Sequence, residues 1–262
     1  MPTPLKQIKG FLVDLDGTTY IGNQALPGAV DFFTHLHAQH IPYLFFSNNP
    51  TKHVEEYVEH ITAVGIPVTA EQIITSTHAT IAYLNREKLT QVYIVGTPGF
   101  EKELADAGIT HTELNPQAVV ISFDTTLTYN KIQTASSLLL NNPALPYIAT
   151  NPDLVCPTPD GPIPDCGALI ALLQAVTKRE PLVMGKPHTG MIALAEERLG
   201  LPRESLAVIG DRLYTDIKMG IDHGLATVLV LSGETNAEDV EHAAEQPDVV
   251  VNTIGELISL RS

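Results

Sequence analysis

The chain has 262 residues, of which 44% are hydrophobic and 17% are charged. This composition leaves ample core for one large or two smaller globular domains and excludes disorder across the whole chain. With 15 Lys and Arg against 30 Asp and Glu, the net charge is −15. A chain this acidic would repel nucleic acid and anionic membranes, so we expect neither as a partner.

The remaining composition signals favour a cytoplasmic location. The N-terminal residues contain no hydrophobic segment typical of a signal peptide, and no apolar run is long enough to span a bilayer. The two cysteines, Cys156 and Cys166, fit no CxxC pattern, so two reduced thiols are expected.

Short β-rich apolar runs alternate with segments of helical periodicity along the chain. The predicted strands are 8–14, 42–47, 91–95, 118–123, 181–185, 205–210, 226–231 and 248–251. The predicted helices, of which the last three stop at a glycine, are 28–40, 51–64, 189–199 and 215–223. This alternation predicts an α/β fold with a doubly wound parallel sheet. It is interrupted by residues 151–166, a stretch with five prolines that predicts a long loop.

Two carboxylates follow the first predicted strand, in the sequence Asp14-Leu15-Asp16-Gly17-Thr18. Side chains two positions apart on extended chain point the same way, and ligands of open parallel sheets bind at the carboxyl ends of central strands. Asp14 could therefore be a nucleophile or metal ligand, and Asp16 a general acid and base. Gly17 would permit a sharp exit, and Thr18 could hydrogen-bond back to the loop. The alternative is a solvated Asp-Gly turn that caps the strand.

Polar residues follow two further predicted strands. Ser47, Asn48 and Asn49 precede a predicted helix, whose N–H groups could join the hydroxyl and amides in a phosphate-sized acceptor site. Ordinary helix capping is the alternative. Lys186 is predicted at a strand-to-helix junction, because Pro187 fits the first helical position. Its ammonium could neutralise a carboxylate and a phosphate oxygen together, although a surface lysine is the alternative.

A fourth strand end carries Asp211, and Asp216 lies five residues further on, where it could support Asp211. A pair of helix-initiating acids is the alternative. Together, the four strand ends offer a carboxylate pair, a hydroxyl with amides, a lysine and a carboxylate. Oxygen ligands of this kind suit a hard cation, and Mg²⁺ above all.

The order and spacing of these motifs resemble those of the haloacid dehalogenase-like phosphohydrolase superfamily over nearly the whole chain. Asp14-x-Asp16-Gly17-Thr18 resembles the first motif, Ser47 the second, Lys186 the third, and Gly210-Asp211 with Asp216 the fourth. The gap of about 140 residues between the second and third motifs is where this superfamily inserts an α/β cap. The segments SNNPTK, ATNPDLVCPTPDGPIPDCGAL and MGKPHTG are similar to those of NagD-like, 4-nitrophenyl-phosphatase-type members with a type IIA cap.

The resemblance implies a Mg²⁺-dependent phosphatase that hydrolyses small phosphomonoesters, such as sugar phosphates, phosphoglycolate-like esters or nucleotides. It implies a catalytic core formed by residues 1–77 and 181–262 and an inserted cap formed by residues 78–180. A small phosphorylated metabolite is the expected partner, and homo-oligomer formation through the cap is left open.

The resemblance also assigns the chemistry to three aspartates. Asp14 would attack phosphorus to form an aspartyl phosphate and would bind Mg²⁺. Asp16 would protonate the leaving alcohol and then activate water, while its main-chain carbonyl binds Mg²⁺. Asp211 would complete the metal site.

The phosphoryl group would be held by a second set of residues. Ser47 and the backbone of Asn48 and Asn49 would bind its oxygens, and Lys186 would bridge Asp14 and the phosphate. Ser47 stands where relatives often have threonine, which is a conservative change.

Specificity is expected in the cap, because the four motifs contact only the phosphoryl group and the metal. The loop 151–166 is the main candidate, and within it Asn151 and Asp153 could hydrogen-bond a polar substrate. The alternative is that this loop only shapes the cap. Cys156 stands where relatives often place an aromatic residue or histidine, and Thr125 where many have arginine. Both departures weaken substrate analogies with these relatives.

Three other functions share parts of this pattern. A signalling receiver domain also uses an aspartate, a hydroxyl, a lysine and Mg²⁺, but the chain is far longer than one such domain, and Asp16 supplies an acid/base group that turns over a phospho-aspartate. An inactive binding module would show no turnover. A phosphotransferase would use an acceptor other than water, which a free-phosphate assay would reveal.

Overall fold

A computed structural model describes residues 5–50, 53–156 and 161–261. These residues divide into two compact units, each described by itself below. The first unit comprises the described residues within Met1–Ser47, Val54–Ile74 and Ile192–Ser262. The second unit comprises the described residues within Asn48–His53 and Thr75–Met191.

Strands and helices alternate along the described chain, as predicted. The N-terminal part contains β1 (Gly10–Asp14), β2 (Tyr20–Ile21), β3 (Gln24–Ala25), α1 (Ala29–Ala38), β4 (Tyr43–Ser47), α2 (Val54–Ala63) and β5 (Ile73–Thr75). The middle part contains α3 (Ser76–Arg86), β6 (Gln91–Val95), α4 (Pro98–Asp106), β7 (Thr110–His111), β8 (Val119–Ile121), α5 (Tyr129–Asn141), β9 (Tyr147–Ala149), β10 (Val155–Cys156), β11 (Ile163–Pro164), α6 (Cys166–Thr177) and β12 (Leu182–Val183). The C-terminal part contains α7 (Gly190–Leu199), β13 (Leu206–Gly210), α8 (Lys218–His223), β14 (Ala226–Val230), α9 (Ala237–His242), β15 (Val249–Val251) and α10 (Leu257–Arg261).

The first unit is built on a sheet with the order β15–β14–β13–β1–β4–β5 among the described residues. The strands from β15 to β4 pair in parallel. From β1 the chain moves to β4 and β5 on one side, whereas β13, β14 and β15 extend the sheet on the other side. The carboxyl end of β1 therefore lies at a switch point, where open parallel sheets form their ligand crevice.

Both faces of this sheet are buried. One face packs against α1, α2 and α10 in a cluster that includes Phe11, Val13, Phe45, Ile209, Val228, Phe32, Phe33, Ile61 and Leu257. Alternate residues of the same strands, Leu12, Leu44, Val208 and Leu229, are at most 2% exposed. Strands buried on both faces appear in the sequence as continuous apolar runs, which is why the spacing predicted them and why the doubly wound α/β class is confirmed.

The second unit has its own sheet with the order β12–β9–β8–β6–β7. Every one of these neighbouring pairs is parallel. Its core combines strand residues with α5 and α6 and includes Tyr93, Val119, Ile121, Tyr147, Ile132, Leu139, Leu169 and Leu173. The predicted strand 181–185 appears as β12, which pairs with β9 and thus belongs to this sheet.

Some predicted elements differ from the observed ones. The predicted loop 151–166 contains the antiparallel pair β10 and β11, while its residues 157–160 lie outside the described chain. The predicted helix 51–64 is seen as α2, with residues 51 and 52 outside the described chain. The predicted helix 215–223 begins instead as a π-helical turn over Leu213–Ile217. Several further elements were not predicted from the sequence: the strands β2, β3, β5, β7 and β9 and the helices α3 to α6, α9 and α10.

Other expectations are confirmed. The glycines that follow three predicted helices, Gly65, Gly200 and Gly224, all have positive φ. Cys156 and Cys166 are both in the thiol form, and burial raises the pKa of Cys166 to about 12. Over the described residues, no helix combines the length and apolar character that a bilayer span requires.

Gly28 gives a test of packing in the first unit. Its φ is +75°, and a Cβ there would lie 2.7 Å from the Cα of Gly255. Gly22 is the matched control, because its φ is +55° but a Cβ would meet no atom within 4 Å. Both Ala substitutions carry a left-handed penalty of about 1–2 kcal/mol. Gly28→Ala should lower the free energy of unfolding in urea by roughly a further 1–3 kcal/mol. Equal losses for the two variants would show that this close approach is not tightly packed.

Candidate active site

Three predicted site residues of the first unit lie at the ends of neighbouring strands. Asp14 is the last residue of β1 and pairs in register with Phe46, so Ser47 lies one residue beyond it at the end of β4. On the other side of β1, β13 ends at Gly210 and is followed by Asp211. The parallel sheet therefore brings the first, second and fourth motifs to one edge, as the sequence predicted.

The loop after Asp14 folds back on itself. The carbonyl oxygen of Leu15 accepts hydrogen bonds from the N–H groups of Thr18 and Thr19, at 3.3 and 2.8 Å. The hydroxyl of Thr19 donates to the carbonyl of Asp14 at 2.8 Å. The N–H of Thr18 therefore makes the predicted hydrogen bond back to the loop, whereas the Thr18 hydroxyl has no partner among the described residues and Thr19 makes the side-chain bond. Asp14 is half-buried, whereas Asp16 is exposed.

Two glycines leave room for the buried carboxylate of Asp211. Gly17 has a φ of +85°, and a Cβ at Gly17 or at Gly233 would overlap the Asp211 carboxylate. The N–H of Glu234 donates to Oδ2 of Asp211 at 2.7 Å. The hydroxyl of Ser232 donates to the carbonyl of Gly17 at 2.8 Å, which ties the loop after β14 to the loop after β1. The position of Asp211 thus depends on both loops.

Asp216 enters the site through the π-helical turn Leu213–Ile217. Its carboxylate is 1% exposed and accepts hydrogen bonds from the N–H of Arg212 at 3.3 Å and the hydroxyl of Thr215 at 3.4 Å. A Cβ on Gly210 would overlap this carboxylate, so the glycine at the end of β13 makes space for it. Single π-turns of this kind occur frequently at functional sites.

Asp14, Asp211 and Asp216 form an acidic cluster. Each offers a carboxylate oxygen, and these oxygens lie within 4.8 Å of one another. At that distance two unit charges repel by roughly 3 kcal/mol at an effective dielectric of about 20. Three carboxylates suit a hard divalent cation, which would offset this repulsion. The sequence predicts only a supporting role for Asp216, which instead contributes a carboxylate oxygen to the cluster. The carboxylate of Asp16 is not part of the cluster.

Ser47 is buried, and its hydroxyl oxygen lies 3.0 Å from the hydroxyl of Tyr57. Tyr57 lies on α2, and no motif identified it from the sequence. Since α2 begins at Val54, Asn48 and Asn49 are not in its first turn. Asn48 and Asn49 thus precede the helix, as the sequence predicted.

Tyr20 lies on β2 and is also buried, close enough to Asp14, Asp16 and Tyr57 to be affected by their charges. Its ring centroid is 4.6 Å from that of His60. Burial raises the pKa of Tyr20 well above its ordinary value, and the charges of Asp16, Tyr57 and Asp14 raise it further. Tyr20 therefore stays neutral at physiological pH and adds no negative charge beside the carboxylates.

Lys186 belongs to the second unit, where the side chain of Asn48 holds its backbone. The amide oxygen of Asn48 accepts from the N–H of Lys186 at 2.8 Å, and its Nδ2 donates to the Lys186 carbonyl at 3.1 Å. The same Nδ2 donates to Asp153 at 3.0 Å. Lys186 is 3% exposed, and its peptide bond to Pro187 is cis. Because α7 begins at Gly190, the prediction that Pro187 is the first helical residue is wrong.

The start of the predicted specificity loop is a buried polar network. Asn151 donates from Nδ2 to Asp153 at 3.1 Å and to Asp165 at 3.0 Å, and all three side chains are at most 5% exposed. Asp165 also caps α6. Cys156 is half-buried and packs against the core of the second unit. The described contacts of Asn151 and Asp153 therefore hold the loop to the unit, in agreement with the alternative that this loop shapes the cap.

Comparisons with known proteins agree with this geometry. A family model described as haloacid dehalogenase-like hydrolase matches residues 11–110, and a HAD-hydrolase-like model matches residues 183–257. The chain is 34% identical to an acid sugar phosphatase of Staphylococcus haemolyticus over 93% of this chain and 92% of that one. It superposes on a 4-nitrophenylphosphatase structure from Thermotoga maritima with a TM-score of 0.94 at 37% identity, covering 99% and 100% of the two chains. For NagD from E. coli K-12 the TM-score is 0.88 at 30% identity, covering 95% and 98%.

The chain belongs to the haloacid dehalogenase-like hydrolases. Within this family it is an enzyme, a phosphatase of the NagD-like group. The resemblance drawn from the sequence motifs is confirmed, and the signalling-receiver interpretation is excluded.

A substitution at Gly233 would displace the carboxylate of Asp211 without changing any charge in the site. Gly233→Ala should lower the affinity for a divalent cation about tenfold or more, because the new Cβ would push the Asp211 carboxylate out of the cluster. Isothermal titration calorimetry with Mg²⁺ measures this directly. Gly99→Ala is the control, since its Cβ would come no closer than 3.4 Å to another atom. Unchanged Mg²⁺ affinity in Gly233→Ala would show that the position of Asp211 does not govern metal binding.

Proposed function

We propose that this enzyme hydrolyses small phosphomonoesters through a phosphoryl group carried on Asp14, with Mg²⁺ as its cofactor. The observation that carries the proposal is the cluster of Asp14, Asp211 and Asp216 at the switch point of the first sheet. Relatives named as a sugar phosphatase and a nitrophenylphosphatase support the substrate class. Sugar phosphates, phosphoglycolate-like esters and nucleotides are the proposed candidates.

The two carboxylates of the first motif would divide the chemistry. A carboxylate oxygen of Asp14 attacks phosphorus, the bond from phosphorus to the ester oxygen breaks, and Asp16 gives its proton to the leaving alcohol. Asp16 then takes a proton from water, whose oxygen attacks phosphorus and releases inorganic phosphate and free Asp14. The exposure of Asp16 supports this role, because an acid/base group must exchange protons with solvent and substrate.

The metal would be held by carboxylates that the fold already groups together. Asp14 and Asp211 would bind Mg²⁺ directly, together with the main-chain carbonyl of Asp16. Asp216 would supply a further carboxylate oxygen or orient the others, since it completes the cluster. Bound Mg²⁺ supplies positive charge that offsets repulsion between these aspartates and the phosphoryl oxygens.

Ser47 and Lys186 would bind the phosphoryl group, together with the backbone of Asn48 and Asn49. Only the backbone of Asn48 would contact the phosphoryl group, because its side-chain amide is bonded to Lys186 and Asp153. The amide would act indirectly by holding the lysine in place. With a chain charge of −15, such a placed cation is needed to attract an anionic ester.

The two parts of the chain would divide binding from specificity. Residues 1–77 and 181–262 would form the catalytic core, and residues 78–180 a cap that selects the leaving group, chiefly through loop 151–166. A small phosphorylated metabolite would be the partner, with no nucleic acid or membrane. Association of two chains through the cap is left open, and the enzyme would act in the cytoplasm.

Rapid-quench trapping with a chromogenic ester tests the proposed division of roles. Asp14→Asn should form no phosphoenzyme, because its amide is not a nucleophile. Asp16→Asn should accumulate phosphoenzyme when the leaving group needs no proton, because water is no longer activated. Phosphoenzyme formation requires Mg²⁺, so a parallel Asp16→Asn series with a chelator should give none. Equal phosphoenzyme yields from the two variants would contradict the division of roles.

A further inference from the structure

We infer that Tyr57 is a positioning residue that orients the hydroxyl of Ser47 toward the phosphoryl group. This inference rests on the proposed function, which places a phosphoryl group against Ser47. Tyr57 belongs to none of the sequence motifs. The observation behind it is the 3.0 Å separation of the two hydroxyl oxygens, both of which are buried.

The surroundings of Tyr57 make its hydroxyl unusual. Tyr57 and Ile61, one helical turn apart, are the buried residues of α2. They pack into the same, largely apolar cluster as Phe11, Phe33 and Phe45. A phenol oxygen in such a place is costly unless it is hydrogen-bonded. The bond to Ser47 meets that need and fixes where the Ser47 oxygen lies.

The charge of the ligand determines which hydroxyl donates in the hydrogen bond between Ser47 and Tyr57. A hydroxyl has one proton to donate and two lone pairs that can accept. A phosphoryl dianion can only accept, so Ser47 must point its proton at the ligand. Tyr57 then donates to a lone pair of Ser47, and the two hydroxyls form a chain of donors that ends on a phosphoryl oxygen. Without Tyr57, the Ser47 hydroxyl would lose the donor that favours this orientation.

Binding of inorganic phosphate in the presence of Mg²⁺, measured by isothermal titration calorimetry, tests this inference. Ser47→Ala should weaken phosphate binding about ten- to a hundredfold, because a hydrogen bond to a charged group is lost. Tyr57→Phe should weaken it about three- to tenfold. In the Ser47→Ala background, Tyr57→Phe should have almost no further effect, because the oriented hydroxyl is already gone.

Tyr43→Phe is the matched control. Tyr43 lies in the same core cluster, is 7% exposed, and its hydroxyl donates to the carbonyl of Pro67 at 3.4 Å. Losing that hydroxyl should leave phosphate affinity unchanged. The KM for 4-nitrophenyl phosphate should rise in Tyr57→Phe and stay constant in Tyr43→Phe. A loss of similar size in both variants would indicate general loosening of the core and overturn the inference.

The remaining outcomes separate this inference from the proposed function. If Ser47→Ala weakens phosphate binding and Tyr57→Phe does not, the inference alone is wrong. If the losses from Ser47→Ala and Tyr57→Phe simply add in the double variant, Tyr57 does not act through Ser47, and the inference is again wrong. If the wild-type enzyme neither binds phosphate nor hydrolyses an ester, the proposed function fails and the inference fails with it.

Discussion

Repulsion among three closely spaced carboxylates, two of them buried and one half-buried, is the constraint on which the first unit depends. Asp14, Asp211 and Asp216 are held with their oxygens within 4.8 Å of one another, although two like charges at that distance repel by roughly 3 kcal/mol. A fold can keep such a cluster only if its frame is rigid and if something offsets the charge. The frame comes from neighbouring parallel strands that are buried on both faces. Because β1 and β13 pair in parallel, their carboxyl ends lie at the same edge of the sheet. Partial charge from the N–H groups of Arg212 and Glu234 offsets some of the repulsion.

The close spacing of the three carboxylates also explains why glycines surround them. Gly17, Gly210 and Gly233 each lie where a Cβ would overlap one of the clustered carboxylates. The motifs that identify the family in sequence, Asp14 to Thr18 and Gly210 to Asp216, are therefore as much about making room for the carboxylates as about supplying them. In the second unit, a single side chain positions Lys186. The amide of Asn48 hydrogen-bonds both the N–H and the carbonyl of Lys186.

The sequence predicted the parts of this arrangement that depend on local pattern. Apolar runs predicted the strands β1, β4 and β13. The polar residues after each run were therefore predicted at the carboxyl ends of these strands. Two kinds of feature could not be predicted. Asn48 meets Lys186 across 138 positions of the chain, and Tyr57 meets Ser47 through the packing of α2; neither pairing leaves a local signal. Helical spacing also cannot distinguish an α-turn from the π-turn that carries Asp216 into the cluster.

Thermal unfolding of wild type and Asp216→Asn, each with Mg²⁺ and with a chelator, tests the central claim about the cluster most directly. Asparagine keeps the size of the side chain and an oxygen for the N–H of Arg212 but removes one charge. With the chelator, the account predicts a higher Tm for Asp216→Asn, because repulsion is relieved. With Mg²⁺, it predicts a larger rise in Tm for the wild type, which binds the cation more tightly. Equal shifts for both proteins, or none, would contradict the claim that the three aspartates form a cation site.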